Sequence, residues 1–221
     1  MRLVGHRGGR GFGEDNTVRA MEQAVAAGVG MIEVDVRRTM DGELVLCHNS
    51  RIGRQQVKKM TLERLREIMP ERPTLQQVLE SLAGWTTFNL EIKDAPAGAV
   101  VEMIQAYSSE NDTLVSSFNR PYMKKFKQEY PRLRTGLLNR VPYSRERKLD
   151  AALEIGADVF LPHYSSIDRE MIERAHEQGL EVYAWTVNRD EDVFRLNRWG
   201  IDGIITDRYL EIESLLRERG E

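Results

Sequence analysis

Strand-like and helix-like runs alternate through this chain in eight successive pairs, and this alternation constrains the fold more than any other feature. The strand-like runs are short, rich in Val, Ile, Leu and aromatic residues, and bounded by Gly, Asn or Asp. They lie at 3–7, 31–39, 87–93, 113–119, 134–139, 158–166, 180–188 and 201–209. Helical patterns lie at 16–29, 61–68, 74–84, 98–110, 121–130, 144–157, 168–179, 190–200 and 210–220. Eight βα units predict an α/β fold of the (β/α)8 TIM barrel type, whose working residues lie at the carboxyl ends of the strands.

One barrel domain covering residues 1–221 is the expected organisation, because such a barrel takes roughly 200–250 residues. An open doubly wound sheet is the alternative, but the glycines after the first run lack the spacing of a dinucleotide-binding fingerprint. The 32 Lys and Arg are balanced by 35 Asp and Glu, which argues against nucleic acid as a partner. One cysteine, Cys47, and no apolar run of about 18 residues predict no intramolecular disulfide and no stable membrane insertion. We expect a cytoplasmic protein and leave its oligomeric state open.

Carboxylates occupy one face of two neighbouring strand-like runs. Glu33 and Asp35 lie two residues apart in 31–39, and Glu91 lies in 87–93. Residues two apart in a strand share a face. Because the apolar residues between them suit the helix-covered outside of a barrel, the three acids are predicted to point inward, where an unpaired charge is costly.

Two interpretations of these inward acids remain open from the sequence. Three oxygen ligands without a zinc-type set of His or Cys favour one hard divalent cation, Mg²⁺ or Ca²⁺. The alternative is an ion-pair network in which Lys93, Arg7 and Arg37 neutralise the carboxylates.

A hairpin is predicted immediately after the second strand-like run. Asp41-Gly42 is a strong signal for a two-residue turn between strands. That turn would place Val36 opposite Cys47, and the return strand would carry His48 to the rim beside the carboxylates.

Two histidines are therefore candidates for proton transfer. His6 ends the first strand-like run and is followed by Arg7, a planar cation suited to phosphate. Around a bound anion, His6 and His48 could protonate a leaving oxygen and deprotonate a nucleophile. His163, at a strand end, is a further pocket candidate, whereas His176 is expected to be an exposed helix residue.

Eight short motifs carry a resemblance to a known family. They are HRGG at 6–9, EDNT at 14–17, EVDVRRTMDGELVLCHN at 33–49, PTLQQVLE at 73–80, NLEIK at 89–93, VSSFN at 115–119, AWTVN at 184–188 and DGIITD at 202–207. In this order they resemble the glycerophosphodiester phosphodiesterase family. The resemblance spans most of the chain and is densest before residue 94.

The resemblance implies a barrel enzyme that splits a small glycerophosphodiester into glycerol 3-phosphate and an alcohol such as choline, ethanolamine or glycerol, using Ca²⁺ or Mg²⁺. It implies a role for each matching residue: Glu33, Asp35 and Glu91 as metal ligands, His6 and His48 as the acid–base pair, Arg7 and Lys93 as phosphate contacts, and Phe118 and Trp185 as pocket-lining aromatics.

The chain departs from the family pattern in two motifs, and in the first of them Glu14 stands where proline is common. Asp15 stands where glutamate is common, which is expected to alter hydrogen bonding in the first βα loop, and Asn49 stands where aspartate is common. Without that anion, the pKa of His48 is expected to be lower than beside an aspartate. Residues 49–72 are few and partly helical, which predicts little or no inserted cap domain beyond the short hairpin extension after strand 2.

Two other functions fit the same residues. The barrel could act on a lysophospholipid, as a lysophospholipase D, or on a phosphoinositide, although no cluster of Leu, Phe and Trp near the strand ends would hold acyl chains. It could also be a barrel that binds phosphoglycerol without catalysis, but the complete set of carboxylates and histidines argues against that.

Overall fold

The computed structural model describes residues 1–140 and 145–220, with the backbone alone for residues 145–147. Its strands are β1 (Arg2–Gly5), β2 (Met31–Arg38), β3 (Leu44–Leu46), β4 (Arg51–Ile52), β5 (Gln55–Gln56), β6 (Thr87–Ile92), β7 (Thr113–Ser117), β8 (Arg134–Asn139), β9 (Val159–Pro162), β10 (Glu181–Ala184) and β11 (Gly203–Thr206). Its helices are α1 (Val18–Ala26), α2 (Leu62–Ile68), α3 (Leu75–Leu82), α4 (Ala97–Ala106), α5 (Arg120–Glu129), α6 (Arg145–Glu154), α7 (Arg169–Glu177), α8 (Asp190–Arg198) and α9 (Tyr209–Arg219). The predicted helix at 144–157 begins on a residue outside the described part.

The described chain consists of two compact units. The N-terminal unit is Arg7–Thr113, and the C-terminal unit comprises Met1–His6 and Leu114–Glu221.

In the N-terminal unit, β2 and β6 are parallel neighbours, with Asp35 opposite Glu91. The apolar residues of β2, Ile32 and Val34, are fully buried, as expected for a strand covered by helices. Thr17 caps α1 by accepting a hydrogen bond from the Ala20 backbone N–H, which satisfies one of the free donors of the helix start.

In the C-terminal unit, parallel strands follow the order β1-β11-β10-β9-β8-β7. Close packing favours glycine at position 136 in β8, because a Cβ there would lie 2.4 Å from Leu161 Cδ1 on β9 and that side chain would have to shift. Asn119 caps α5 and Asp168 caps α7, each by accepting a backbone N–H in the first turn of its helix. These caps fix where the chain turns from the carboxyl end of a strand into the next helix.

The hairpin after β2 differs from the prediction by one residue. Val36 pairs with Leu46, so the predicted pairing of Val36 with Cys47 is wrong. The loop has three residues rather than two: the Thr39 N–H donates to Glu43 O at 2.9 Å, and Gly42 takes a φ of 97°. A turn followed by a glycine with positive φ is the usual three-residue hairpin loop.

Eight parallel strands, each followed by at least one helix, confirm the (β/α)8 barrel fold class over the open doubly wound sheet. The antiparallel pair β2 and β3 forms the predicted short hairpin extension after the second barrel strand, and β4, β5 and α2 follow it. The extent of the single domain over residues 1–221 stays a prediction. Among the described residues, no helix has both the length and the apolar character needed to cross a membrane.

Candidate active site

An acidic cluster at the carboxyl ends of β2 and β6 is the centre of the candidate site. One carboxylate oxygen from each of Glu33, Asp35 and Glu91 lies within 4.8 Å of the others. The three residues are 3%, 1% and 8% exposed. Their convergence follows from the register, because Asp35 faces Glu91 directly and Glu33 lies two residues earlier on the same face. The predicted convergence of the three acids is confirmed.

Positive charge partly balances this cluster. Lys93 Nζ lies 2.9 Å from Asp35 Oδ1 and also pairs with Glu91 Oε1. Arg7 Nε lies 4.0 Å from Asp35 Oδ2. The ion-pair network proposed as the alternative therefore exists in part, but without Arg37, whose guanidinium pairs with Asp94 at 2.6 Å.

The pKa values of the cluster reflect burial and mutual repulsion. Burial raises the pKa of Glu33 well above 4.5, and the charges of Asp35 and Glu91 raise it further. Burial also acts to raise the pKa of Asp35, but the charge and hydrogen bond of Lys93 outweigh it and lower that pKa. Burial acts to lower the pKa of Lys93, but the charges of Asp35 and Glu91 outweigh burial and raise that pKa.

The donor set fits a divalent cation. All three candidate ligands are carboxylates, which are the ligands that hard cations such as Mg²⁺ and Ca²⁺ prefer. A divalent cation, in addition to Lys93, would offset the repulsion from Asp35 and Glu91 that raises the pKa of Glu33. Glu33, Asp35 and Glu91 are therefore the residues that could hold the ion.

The first βα loop fixes the carboxylates in place. The Arg7 backbone N–H donates to Glu33 Oε2 at 2.8 Å, and Asn16 Nδ2 donates to Asp35 Oδ2 at 3.1 Å. Arg7 and Asn16 have φ values of 50° and 56°, a region that side-chain-bearing residues occupy at an energetic cost. Asp15, at the first departure from the family pattern, lies 3.4 Å from the guanidinium groups of both Arg7 and Arg10.

His48 lies in the N-terminal unit, on the chain that returns from the hairpin. Its Nδ1 is 3.1 Å from Asn49 Oδ1, and its backbone carbonyl accepts a hydrogen bond from Arg37 at 2.9 Å. Burial lowers the pKa of His48, and the charges of Arg7 and Lys93 act in the same direction. The charge of His48 also acts to lower the pKa of Asp35, which agrees with the prediction that this histidine lies near the carboxylates.

His6 lies at the end of β1 in the C-terminal unit and is oriented by an aspartate. His6 Nδ1 is 2.7 Å from Asp207 Oδ1, and Asn188 Nδ2 donates to Asp207 Oδ2 at 2.6 Å. This contact with the carboxylate orients the His6 ring. The sequence reasoning assigned no role to Asp207 or Asn188, although both lie in quoted motifs, because 201 positions separate Asp207 from His6.

The predicted pocket residues of the C-terminal unit form an aromatic group. The ring centroids of Phe118 and Trp185 lie 5.2 Å apart, and those of His163 and Trp185 lie 5.2 Å apart, both edge to face. Trp185 Nε1 donates to Leu161 O at 3.0 Å, which fixes the indole. His176, by contrast, is on α7 and pairs with Asp202, as an exposed helix residue.

The sequence profile of the Glycerophosphoryl diester phosphodiesterase family matches residues 6–211. The chain belongs to this family. A glycerophosphodiester phosphodiesterase of Caldanaerobacter subterraneus subsp. tengcongensis is 32% identical over 242 residues, covering 99% of this chain and 98% of that relative. The predicted enzyme class, a phosphoric diester hydrolase of the glycerophosphodiester phosphodiesterase family, is confirmed by this membership.

Solved structures support the same fold for this phosphodiesterase family member. A Silicibacter pomeroyi protein is 27% identical, with a TM-score of 0.90, covering 100% of this chain and 94% of that chain. An Oleispira antarctica phosphodiesterase, solved in complex with the product sn-glycerol-3-phosphate, is 23% identical, with a TM-score of 0.87, covering 98% of this chain and 97% of that chain. At 23% identity, the similarity to the Oleispira antarctica protein supports the fold alone.

Proposed function

We propose that this protein hydrolyses small glycerophosphodiesters to glycerol 3-phosphate and an alcohol, with one divalent cation, Mg²⁺ or Ca²⁺, held by Glu33, Asp35 and Glu91. The observation that carries the proposal is the buried cluster of three carboxylates within 4.8 Å, in a chain of the matching family. Stabilisation of negative charge on the phosphoryl oxygens is the chemistry that the bound cation supplies. The 32% identical relative from Caldanaerobacter subterraneus subsp. tengcongensis, a glycerophosphodiester phosphodiesterase, supports the same class of reaction.

Arg7 and Lys93 bind and orient the phosphate in this proposal. Both side chains carry positive charge beside the acidic cluster, within ion-pair distance of Asp35. The Arg7 guanidinium presents several N–H donors that match phosphate oxygens, and Lys93 supplies a point charge. Together they would stabilise charge that develops on phosphorus as the ester bond breaks.

His6 and His48 move protons. One imidazole takes the proton of the nucleophile, which is water or the neighbouring glycerol hydroxyl, and the other protonates the oxygen of the departing alcohol. Attack by the glycerol hydroxyl would give a cyclic phosphate, which water would then open to glycerol 3-phosphate. Asp207 orients the ring of His6, and Arg37 holds the backbone of His48. Phe118, Trp185 and His163 would line the pocket for the alcohol.

The decisive experiment measures release of glycerol 3-phosphate from glycerophosphoglycerol and glycerophosphocholine, with Mg²⁺, with Ca²⁺ and with a chelator. We expect activity that the chelator removes and that H6A and H48A each lower by at least about 100-fold, since each removes a proton-transfer group. H176A is the matched control, because His176 lies on α7 and pairs with Asp202 at the surface. Chelator-resistant turnover, or near-normal turnover by either H6A or H48A, would contradict the proposal.

Lysophosphatidylcholine tests the alternative substrate class in the same assay. The large apolar side chains that are exposed in the described residues are Met1, Met40, Ile68, Trp85 and Leu210, and none of them is a candidate site residue. We therefore expect the water-soluble diesters to be preferred. A cytoplasmic location and the absence of nucleic acid and stable membrane partners remain predictions from the sequence.

A further inference from the structure

We propose that the preferred substrate releases an alcohol that itself carries a negatively charged group, and that Arg140 is the residue that selects it. This inference rests on the proposed function, because it names the substrate class of that reaction. The observation behind it is a guanidinium lying on the aromatic group at the strand ends of the C-terminal unit.

Phe118, His163 and Trp185 follow β7, β9 and β10, and Arg140 follows β8 between them. The guanidinium carbon of Arg140 lies 4.5 Å from the centroid of the Phe118 ring. In a (β/α)8 fold, residues directly after the parallel strands are those that meet substrate. Arg140 is therefore in the right part of the chain to contact the alcohol.

The aromatic group does not offer the surface that a quaternary ammonium needs. Such cations are bound by open aromatic faces. Here the Arg140 guanidinium covers one face of Phe118. Trp185 meets the rings of Phe118 and His163 at 84° and 88°, and its indole N–H is held by Leu161 O. A choline group would have to displace a guanidinium to reach the Phe118 face.

Charge around the aromatic group points to an anion. Within residues 1–140 and 148–220, no carboxylate pairs with Arg140, which is exposed. Lys148 on α6 is 2% exposed, and its positive charge adds to burial in lowering the pKa of His163. A guanidinium thus lies on the Phe118 ring, and the charge of a second cation acts on His163.

This arrangement favours phosphate or carboxylate over ammonium on the alcohol. A guanidinium forms paired, charge-assisted hydrogen bonds with either anion, and stacking on an aromatic ring fixes its plane beforehand. A cationic alcohol would instead meet a like charge, which costs free energy at short distance even in a solvated site.

The test compares three substrates that share the glycerophospho group: glycerophosphoglycerol phosphate, glycerophosphoglycerol and glycerophosphocholine. We expect kcat/KM to fall in that order. In R140Q the ratio of kcat/KM for the phosphate-bearing substrate to that for the neutral one should fall about tenfold, equivalent to about 1.4 kcal/mol. R140K keeps the charge but loses the paired hydrogen bonds and the stacking, and should retain only part of the preference.

R120Q is the matched control. Arg120 is also an exposed arginine, two residues after Phe118, but it pairs with Glu154. Its substitution should leave the ratio unchanged. Circular dichroism verifies that all three variants are folded.

Each outcome separates this inference from the proposed function. Hydrolysis of all three substrates with glycerophosphocholine preferred, or a ratio that R140Q does not change, overturns the role of Arg140 and leaves the proposed function intact. An equal loss in R120Q assigns the preference to overall charge and also overturns it. No hydrolysis of any of the three refutes the proposed function, and this inference with it.

Discussion

Replacing Glu33 by glutamine should stabilise the metal-free protein and abolish its response to divalent cations. Glu33 is 3% exposed, and its carboxylate lies within 4.8 Å of those of Asp35 and Glu91. The glutamine side chain has nearly the same shape, and its amide carbonyl can accept the hydrogen bond that the Arg7 backbone donates to Glu33. The substitution therefore removes the charge with little change in packing.

The size of the gain follows from the charges in the cluster. Two like charges 4.8 Å apart repel by about 3 kcal/mol at an effective dielectric constant of about 20. The charges of Asp35 and Glu91 repel ionised Glu33, while the Arg7 backbone N–H and Lys93 stabilise it, so about one repulsion of this size remains. Partial protonation of Glu33 relieves some of it, and we expect E33Q to gain about 2 kcal/mol at neutral pH in chelator. For a chain of 221 residues this raises Tm by roughly 4–8 °C.

The pH dependence has a definite sign. The folded protein holds the Glu33 proton more tightly than the unfolded chain does, because the pKa of Glu33 is raised above 4.5. The contribution of Glu33 to wild-type stability therefore falls as pH rises from about 4.5 toward the raised pKa. The advantage of E33Q should be absent below pH 4.5 and should grow with pH over that window.

Differential scanning fluorimetry in chelator and in excess Mg²⁺ or Ca²⁺ measures both effects. At a free cation concentration of 100 times Kd, binding should stabilise the wild type by about 2.7 kcal/mol and should not stabilise E33Q comparably. E102Q is the matched control, because Glu102 is exposed on α4. If E33Q melts at or below the wild-type temperature in chelator, the reasoning from like-charge repulsion is refuted.

Three further predictions concern the surroundings of the site. R37M should lower kcat at least tenfold with a smaller change in KM, because Arg37 donates a hydrogen bond to the His48 carbonyl. R37K should restore part of the loss, and a change in KM alone would contradict this positioning role. N49D places an anion beside the imidazole and should raise the pKa of His48. The limb of the pH–rate profile that His48 controls should then move to higher pH, and an unchanged profile would contradict this prediction. G9A should cost about 2–4 kcal/mol in urea denaturation, because its Cβ would lie 2.6 Å from an α1 side chain at a φ of 78°. G28A has only the positive φ and should cost about 1 kcal/mol, so equal losses would rule out the steric contact.

Local patterns in the sequence predicted the acidic cluster correctly. Alternation in 31–39 assigned Glu33 and Asp35 to one face, and the same rule assigned Glu91 to the matching face of 87–93. Parallel neighbours then align those faces without further information, as the pairing of Asp35 with Glu91 demonstrates. The strand positions and the fold class followed from the same periodicity.

The hairpin register was decided by contacts with a later segment. The Met40 N–H donates to Met60 O at 2.7 Å, and Asp41 accepts the backbone N–H of Leu62. These bonds draw Met40 and Asp41 into a three-residue loop, where Gly42 takes the positive φ. Local turn preference alone predicted two residues, because the segment that competes for these backbone groups lies about 20 residues away.

By itself, the sequence determined which residue types lie on which face of each strand, because side-chain direction along a strand is a local property of the backbone. Only the tertiary structure decided which distant groups contact the predicted site residues. Asp207 and Asn188 orient His6, Arg37 fixes His48, and Arg140 covers the ring of Phe118. Except for His48, which Arg37 reaches across a hairpin, these partners are far apart in the chain, and only the packing of whole strands brings them within hydrogen-bond or ring-contact distance.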